Sequence, residues 1–170
     1  MTPHEPITIR DARDDERAAV RELTLASFEQ YGTIMAPEAW VALRDTVLAG
    51  LEAPGASERI VAERGGALVG SVLVFPPRGA GAATGGRLPW PELRLLAVAP
   101  EARGAGAGEA LVRECVRRAR AAGYPALGLY SSDSMRAARR LYQRLGFQRV
   151  PEHDFRTPGA ELVQAFKLDL

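Results

Sequence analysis

The chain has 170 residues, 46% apolar and 25% charged, with a formal net charge of +1, which is the make-up of one folded domain with a substantial core. The near-neutral balance gives no electrostatic footprint for nucleic acid or an anionic membrane, and no apolar run approaches membrane-spanning length. The polar N-terminus does not read as a secretory signal and the lone Cys115 excludes an internal disulfide, so a cytoplasmic location is expected.

Residues 7–10, Ile-Thr-Ile-Arg, alternate like a first or edge strand. Residues 14–30 carry Ala18, Val20, Leu23, Leu25, Ala26 and Phe28 at positions that predict a helix. Residues 37–49 predict a second one, with Pro37 at an early position where a missing N–H does no harm. Residues 60–62 and 68–75 flank Gly65-Gly66 and predict a β-hairpin. Residues 76–91 form a loop dense in Gly, Pro and Ala.

A short apolar run at 93–98 is stopped by Pro100, and a glycine-rich turn follows at 103–108, Arg-Gly-Ala-Gly-Ala-Gly. The next helix places Leu111, Val112, Cys115, Val116 and Ala119 on one face. Its other face carries Arg113, Glu114, Arg117, Arg118 and Arg120, which reads as charged surface and not as a nucleic-acid footprint. Gly123 and Pro125 stop it. Residues 126–130 predict a strand, and Asp133 or Ser134 is placed to cap a helix running into Leu141-Tyr142-Gln143-Arg144-Leu145-Gly146-Phe147. Residues 148–150 and an alternating run at 163–168 complete the pattern, the last strand reading as an edge through which a homodimer could pair.

Strand, glycine turn, helix is an arrangement that aims free backbone N–H groups at a phosphate. The first N–H groups of a helix lack partners within it, and glycine allows the backbone to approach a bulky anion. A phosphorylated cofactor is therefore expected. The dinucleotide spacing G-x-G-x-x-G fails, because its last position would be Glu109 or Leu111. A P-loop fails because the chain contains no Gly-Lys pair. What fits is R-x-x-G-x-G, at Arg103, Gly106 and Gly108.

With Ala97-Val98 before it and Leu141-Tyr142-x-x-Leu145-Gly146-Phe147 closing the second helix after it, this loop resembles the acyl-CoA pyrophosphate loop of the GNAT superfamily of N-acetyltransferases. The resemblance is specific over residues 92–147. It implies one α/β domain over residues 1–170, with a mixed central sheet of about seven strands flanked by about four helices. It implies acetyl-CoA as co-substrate, bound by Leu96, Ala97, Val98, Arg103, Gly104, Ala105, Gly106, Ala107 and Gly108, and direct acetyl transfer to a primary amine in a ternary complex. The acceptor is expected to be a small-molecule or peptide amine. The runner-up is an acyl-CoA-binding sensor or interaction domain with little activity.

Such a transfer needs a neutral amine, a donor for the carbonyl oxygen and a proton for the leaving thiolate. The resemblance places a catalytic glutamate at Glu92, which otherwise reads as a solvent-facing strand end. It places backbone donors near Leu96 and Val98 and an acid at Tyr142, whose phenol has an ordinary pKa near ~10 and is protonated at neutral pH. Arg103 reads either as a charge partner of the pyrophosphate or as a solvent-facing side chain. One departure is plain: the asparagine common seven residues before this tyrosine is replaced by Met135, and the chain has no asparagine at all. Ser131, Ser132, Asp133 and Ser134 stand nearby as polar substitutes. His4 and His153 have no companions at metal-ligand spacing, so no metal is expected. Tyr31, Met35, Trp40, Trp90, Glu152 and Asp154 are the side chains expected to line an acceptor pocket.

Overall fold

The protein forms one seven-stranded sheet in the order β1-β2-β3-β4-β5-β7-β6, as described by a computed structural model of residues 5–79 and 87–170. The strands are β1 (Thr8–Asp11), β2 (Glu58–Arg64), β3 (Ala67–Phe75), β4 (Glu92–Val98), β5 (Ala126–Ser131), β6 (Gln148–Arg149) and β7 (Gln164–Asp169). Every neighbouring pair is antiparallel except β4 and β5, which run parallel. A parallel pair needs a crossover, and α3 (Ala107–Ala121) supplies it. Gly65 and Gly66, at φ +57° and +78°, make the two-residue turn that joins β2 to β3 as expected.

The remaining helices are α1 (Arg17–Phe28), α2 (Pro37–Glu52) and α4 (Arg136–Arg144). The predicted stripe of α3 is buried, with Leu111, Val112, Cys115 and Ala119 packed on the sheet beside Tyr142 and Leu141 of α4. Phe28, Ala39 and Val47 from α1 and α2 form a separate cluster against Leu95 and Ala97 of β4. Because successive strand residues face opposite sides, this divides the helices into two layers, with α1 and α2 on one face of β4 and α3 and α4 on the other.

Several expectations are corrected. The single helix expected at 14–30 is an α-helix between two tighter 3-10 turns, Asp14–Glu16 and Glu29–Thr33. Neither Asp133 nor Ser134 caps α4, whose N-cap is Met135 with no side-chain bond. Asp133 pairs with Arg139, and the Ser134 hydroxyl donates to Glu161, so other partners have captured both groups. The last strand is not an edge: β7 lies between β5 and β6, so its backbone is covered on both sides. The sheet edges are β1 and β6, so the edge expected at the last strand lies elsewhere. The centre of the 76–91 loop and His4 lie outside the described residues. Among the described residues, no helix is long and apolar enough to cross a membrane.

The feature that positions the site is in β4. Ser71 faces Ala97 and Leu73 faces Arg94, so three steps along β4 match two along β3. The extra residue is a β-bulge, and Leu95 adopts φ +52°, a left-handed conformation uncommon for leucine. Beyond it β4 swings away from β5: only Glu92 with Gly128 and Leu93 with Leu129 remain paired. The last residues of both strands part.

At the far edge, Arg10 clamps the start of α1 to the hairpin. It donates to Glu16 Oε1 at 2.7 Å, Glu16 Oε2 at 2.9 Å and Glu63 Oε2 at 2.6 Å. Those bonds from Arg10, with a further one from the Arg13 backbone N–H, hold the Glu16 carboxyl down at about 2. A depressed carboxyl stabilises the fold above its unfolded value near ~4.3, and that contribution fades as pH falls through the folded value. Glu16→Gln is therefore expected to lower stability at neutral pH by about 1–3 kcal/mol. It should also flatten the loss of Tm between about pH 5 and pH 2, measured by thermal melts across that range.

Candidate active site

The parted edge of β4 carries backbone groups that a continuous sheet would have paired. Ala99 donates its N–H to Val69 O on the β3 side, at 2.9 Å. Alternation then turns Ala97 toward β3, and Leu96 and Val98 toward the gap. The Val98 N–H finds a partner there, the Ser27 hydroxyl at the end of α1, at 3.2 Å. Ser27 is also held from the other side, because Arg103 Nη2 donates to its carbonyl at 3.1 Å. Arg103 thus does something that neither sequence reading contained: it ties the glycine loop to the end of α1. Residues 27, 98 and 103 are far apart in sequence, which hides this clasp from any local pattern.

The loop itself has the expected conformation. Gly104 and Gly106 sit at φ +77° and +87°, and Gly106 is the N-cap of α3. The N–H groups of residues 104–109 have no acceptor among the described residues, while Ala110 begins helical bonding to the Gly106 carbonyl. Six successive unpaired donors at a helix start, with the helix dipole behind them, form an anion cradle. Gly108 is already helical, and a Cβ there would lie 3.5 Å from Leu141 and Val98, an ordinary contact.

Arg64 was not singled out by sequence and belongs to this region. It is 8% exposed at the end of β2, reaches Ala105 O at 3.5 Å through Nη2, and leaves its buried Nε without a partner. A nearly buried guanidinium with no carboxylate within ion-pair distance among the described residues puts positive charge behind the loop. No sequence signal marks it; an arginine at a hairpin end is ordinary until the loop folds against it.

On the far side of the gap, β5 ends at Ser131 and Ser132 follows it. Both are buried, and neither hydroxyl has a partner; nor has Oε1 of the neighbouring Gln164. Buried polar atoms are nearly always satisfied, so orphans concentrated beyond the last β4–β5 rung mark a place where a ligand's polar groups fit. Met135 packs into the α1–α2 cluster although α4 lies in the other layer, so it bridges the layers at the open part of the sheet.

Tyr142 lies on α4, 5% exposed, its ring edge-on to Phe147 at 5.8 Å. Burial raises its pKa, and the nearby Tyr31 and Cys115 add to the rise. Tyr31 is shifted upward by burial as well, with the Arg103 charge opposing it. The two phenols and Arg103 are thus brought into one neighbourhood from α4, the end of α1 and the glycine loop. Cys115 is buried, its thiol pushed up to about 12 by burial, which makes it a packing residue.

Glu92 is neither solvent-facing nor free. It is 1% exposed at the closed end of the gap, and Arg94 Nε donates to its Oε1 at 2.6 Å. Arg94 Nη2 and the Arg87 backbone N–H donate to Oε2 at 3.2 and 3.0 Å. Arg94 in turn covers the Phe75 ring, its guanidinium carbon 4.2 Å from the centroid.

A sequence profile of the acetyltransferase (GNAT) family matches residues 10–147. The chain belongs to that family. Comparison with curated protein sequences finds no match. Three solved structures share the fold. A GNAT family acetyltransferase from Brucella melitensis, in complex with acetyl-CoA, aligns at 22% identity and a TM-score of 0.61 over 98% of this chain and 90% of its own. The PaiA N-acetyltransferase of Thermoplasma acidophilum, in complex with coenzyme A, aligns at 17% and 0.66 over 96% and 99%. A GNAT acetyltransferase from Staphylococcus aureus Mu50 aligns at 15% and 0.72 over 97% and 99%.

In this GNAT protein the expected acceptor residues fall into separate groups. Tyr31, Met35 and Trp40 belong to the α1–α2 cluster, where Trp40 lines a cleft of about 60 Å³ with Phe28 and Arg44. Trp90 stands edge-on to His153 at 5.6 Å on the other side of β5, near Tyr130. Asp154 is held by Arg149 at 2.6 Å and by the Ala165 N–H at 2.9 Å, and Glu152 is exposed.

Gly106→Ala isolates the backbone cost of the loop, because a Cβ there would meet nothing within 4 Å. It is expected to lower stability by about 1–2 kcal/mol through the left-handed conformation alone, read from urea melts. Ser27→Ala should leave that baseline near native and speed hydrogen exchange at the Val98 amide.

Proposed function

We propose that this protein transfers the acetyl group of acetyl-CoA to a primary amine of a small molecule or peptide, with both substrates bound together. The observation that carries the reading is the run of unpaired N–H groups at 104–109, set beside the open edge of β4. Family membership and the acyl-CoA and CoA complexes of similar folds support it.

Acetyl-CoA supplies an activated thioester when bound. The glycine loop would hold its diphosphate through backbone N–H groups, with Arg64 adding charge from behind. The Leu96 and Val98 N–H groups face the gap and suit the arm and the acyl carbonyl, Val98 exchanging its Ser27 partner for the ligand. The orphaned Ser131 and Ser132 hydroxyls offer the polar contacts that Met135 cannot.

Tyr142 suits the role of acid. Its raised pKa keeps the phenol protonated at neutral pH, so it can give a proton to the sulfur as the carbon–sulfur bond breaks. The amine must lose a proton, and Glu92 serves in this reading through a bound water, because both its oxygens already accept hydrogen bonds. In the same position the carboxylate also anchors Arg94 and residue 87.

Thermal melts with acetyl-CoA, NADH and ATP test the binding step. Acetyl-CoA at a hundred times its Kd should stabilise the fold by about 2.7 kcal/mol, with no shift from the other two. Gly106→Val should abolish that shift more completely than Arg103→Ala; the reverse order would discard the loop assignment. Binding without turnover on any amine would favour a sensor.

Tyr142→Phe should keep the acetyl-CoA shift yet lower kcat by about 100-fold. Because burial raises the Tyr142 pKa, the native enzyme should show no loss of kcat from its ionisation up to about pH 10. Glu92→Gln separates the two tasks of that carboxylate: loss of the anchoring pair lowers Tm in either case, while kcat measured below that Tm falls only if the carboxylate also acts as base.

A further inference from the structure

A cavity of about 340 Å³ opens between the start of α1, the end of α2 and the start of β2. It lies at the other end of α1 from Ser27, roughly 15 Å along the helix axis from Arg17, so it is separate from the glycine loop. Four guanidinia line it, from Arg13, Arg17, Arg21 and Arg59, against the two carboxylates of Asp14 and Glu52. Arg13 is occupied with Glu16 and Asp15, at 2.8 and 3.6 Å. Arg17, Arg21 and Arg59 form no ion pair among the described residues.

These three are not scattered surface charges. Arg17 and Arg21 are one turn apart on α1, a like-charged pairing that destabilises a helix. Arg59 faces them from β2, half-buried, with a single bond from Nη2 to Ala53 O at 3.2 Å. Its pKa is lowered first by burial and then by repulsion from Arg17, so the cluster stands under electrostatic strain that an anion would relieve. By contrast, Arg118 is tied to Asp11, Glu58 and Glu114, and Arg149 to Asp154. The floor of the cavity is apolar, with Val20 and Leu51. Its volume exceeds that of a lone inorganic ion and falls at the small end of organic ligand sites.

We infer that this cavity is a second ligand site, for a small organic anion of at least two negative charges gripped by Arg17, Arg21 and Arg59. The carboxylates or phosphate of the ligand accept from the guanidinia while its carbon skeleton covers Val20 and Leu51. The inference is independent of the acetyltransferase reading, since no residue of the site belongs to the loop or the gap.

The test is calorimetric titration of the full chain with citrate, and separately with inorganic phosphate, at fixed ionic strength and with and without saturating coenzyme A. One citrate per chain should bind saturably, with a Kd below about 1 mM, more tightly than phosphate, and coenzyme A should not compete. Arg17→Gln, Arg21→Gln and Arg59→Gln should each weaken it about tenfold, the loss of one charge-assisted bond. Arg120→Gln on the exposed face of α3 should change nothing. Arg21 is exposed and makes no structural bond, so its variant reports on binding even if Arg59→Gln folds poorly. Absence of saturable binding by either anion would overturn the inference. So would displacement by coenzyme A, tighter binding of phosphate than of citrate, or native affinity in the Arg17, Arg21 and Arg59 variants.

Discussion

Everything at the candidate site depends on two strands that stop pairing too soon. Between β4 and β5 only two residue pairs remain in register, although the strands have seven and six residues. A parallel pair in the middle of a sheet would ordinarily close its ladder, because buried N–H and C=O groups without partners are costly. Here one extra residue in β4, taken up by a left-handed Leu95, re-aims the strand and leaves its last N–H groups facing a gap. The gap lets the two helical layers meet through the sheet. Met135 crosses it, and Tyr31 and Tyr142 influence one another across it.

The open edge is braced by a small number of long-range bonds. Ser27 accepts from Val98 through its hydroxyl and from Arg103 through its carbonyl, so one residue links α1, β4 and the glycine loop. At the closed end Glu92 and Arg94 form a largely buried pair in which the carboxylate also accepts from a backbone N–H. Breaking such a pair is costly, because it strands a charge away from water. The site is thus a local interruption of the sheet, pinned at both ends.

Arginine supplies almost all the positive charge in this chain, and its deployment differs by region. On α3 the arginines sit in partly exposed pairs such as Arg113 with Glu109 and Arg117 with Glu114, which contribute little individually. Arg118 is different, joining α3 to β1 and β2 through Asp11 and Glu58. Arg64 behind the loop, Arg17 and Arg21 on α1 and Arg59 on β2 form no ion pair among the described residues.

Local chemistry was legible in the chain. Paired glycines demanded the β2–β3 turn, a periodic apolar stripe demanded the buried face of α3, and the glycine-rich turn at 103–108 stands between β4 and α3 as expected. These features depend on neighbours a few residues apart, which a sequence displays directly, and they sufficed to single out the glycine loop as the place suited to an anion. Tertiary packing decided the rest. Nothing about a leucine announces that it will turn left-handed, and no pattern joins Ser27 to Arg103 or sets Arg64 behind Ala105. Glu92 at a strand start looks solvent-facing until Arg94 and residue 87 close over it, and β7 looks like an edge until β6 pairs beside it. Burial, charge pairing and strand neighbourhood are relations between distant parts of the chain, and they exist only once it has folded.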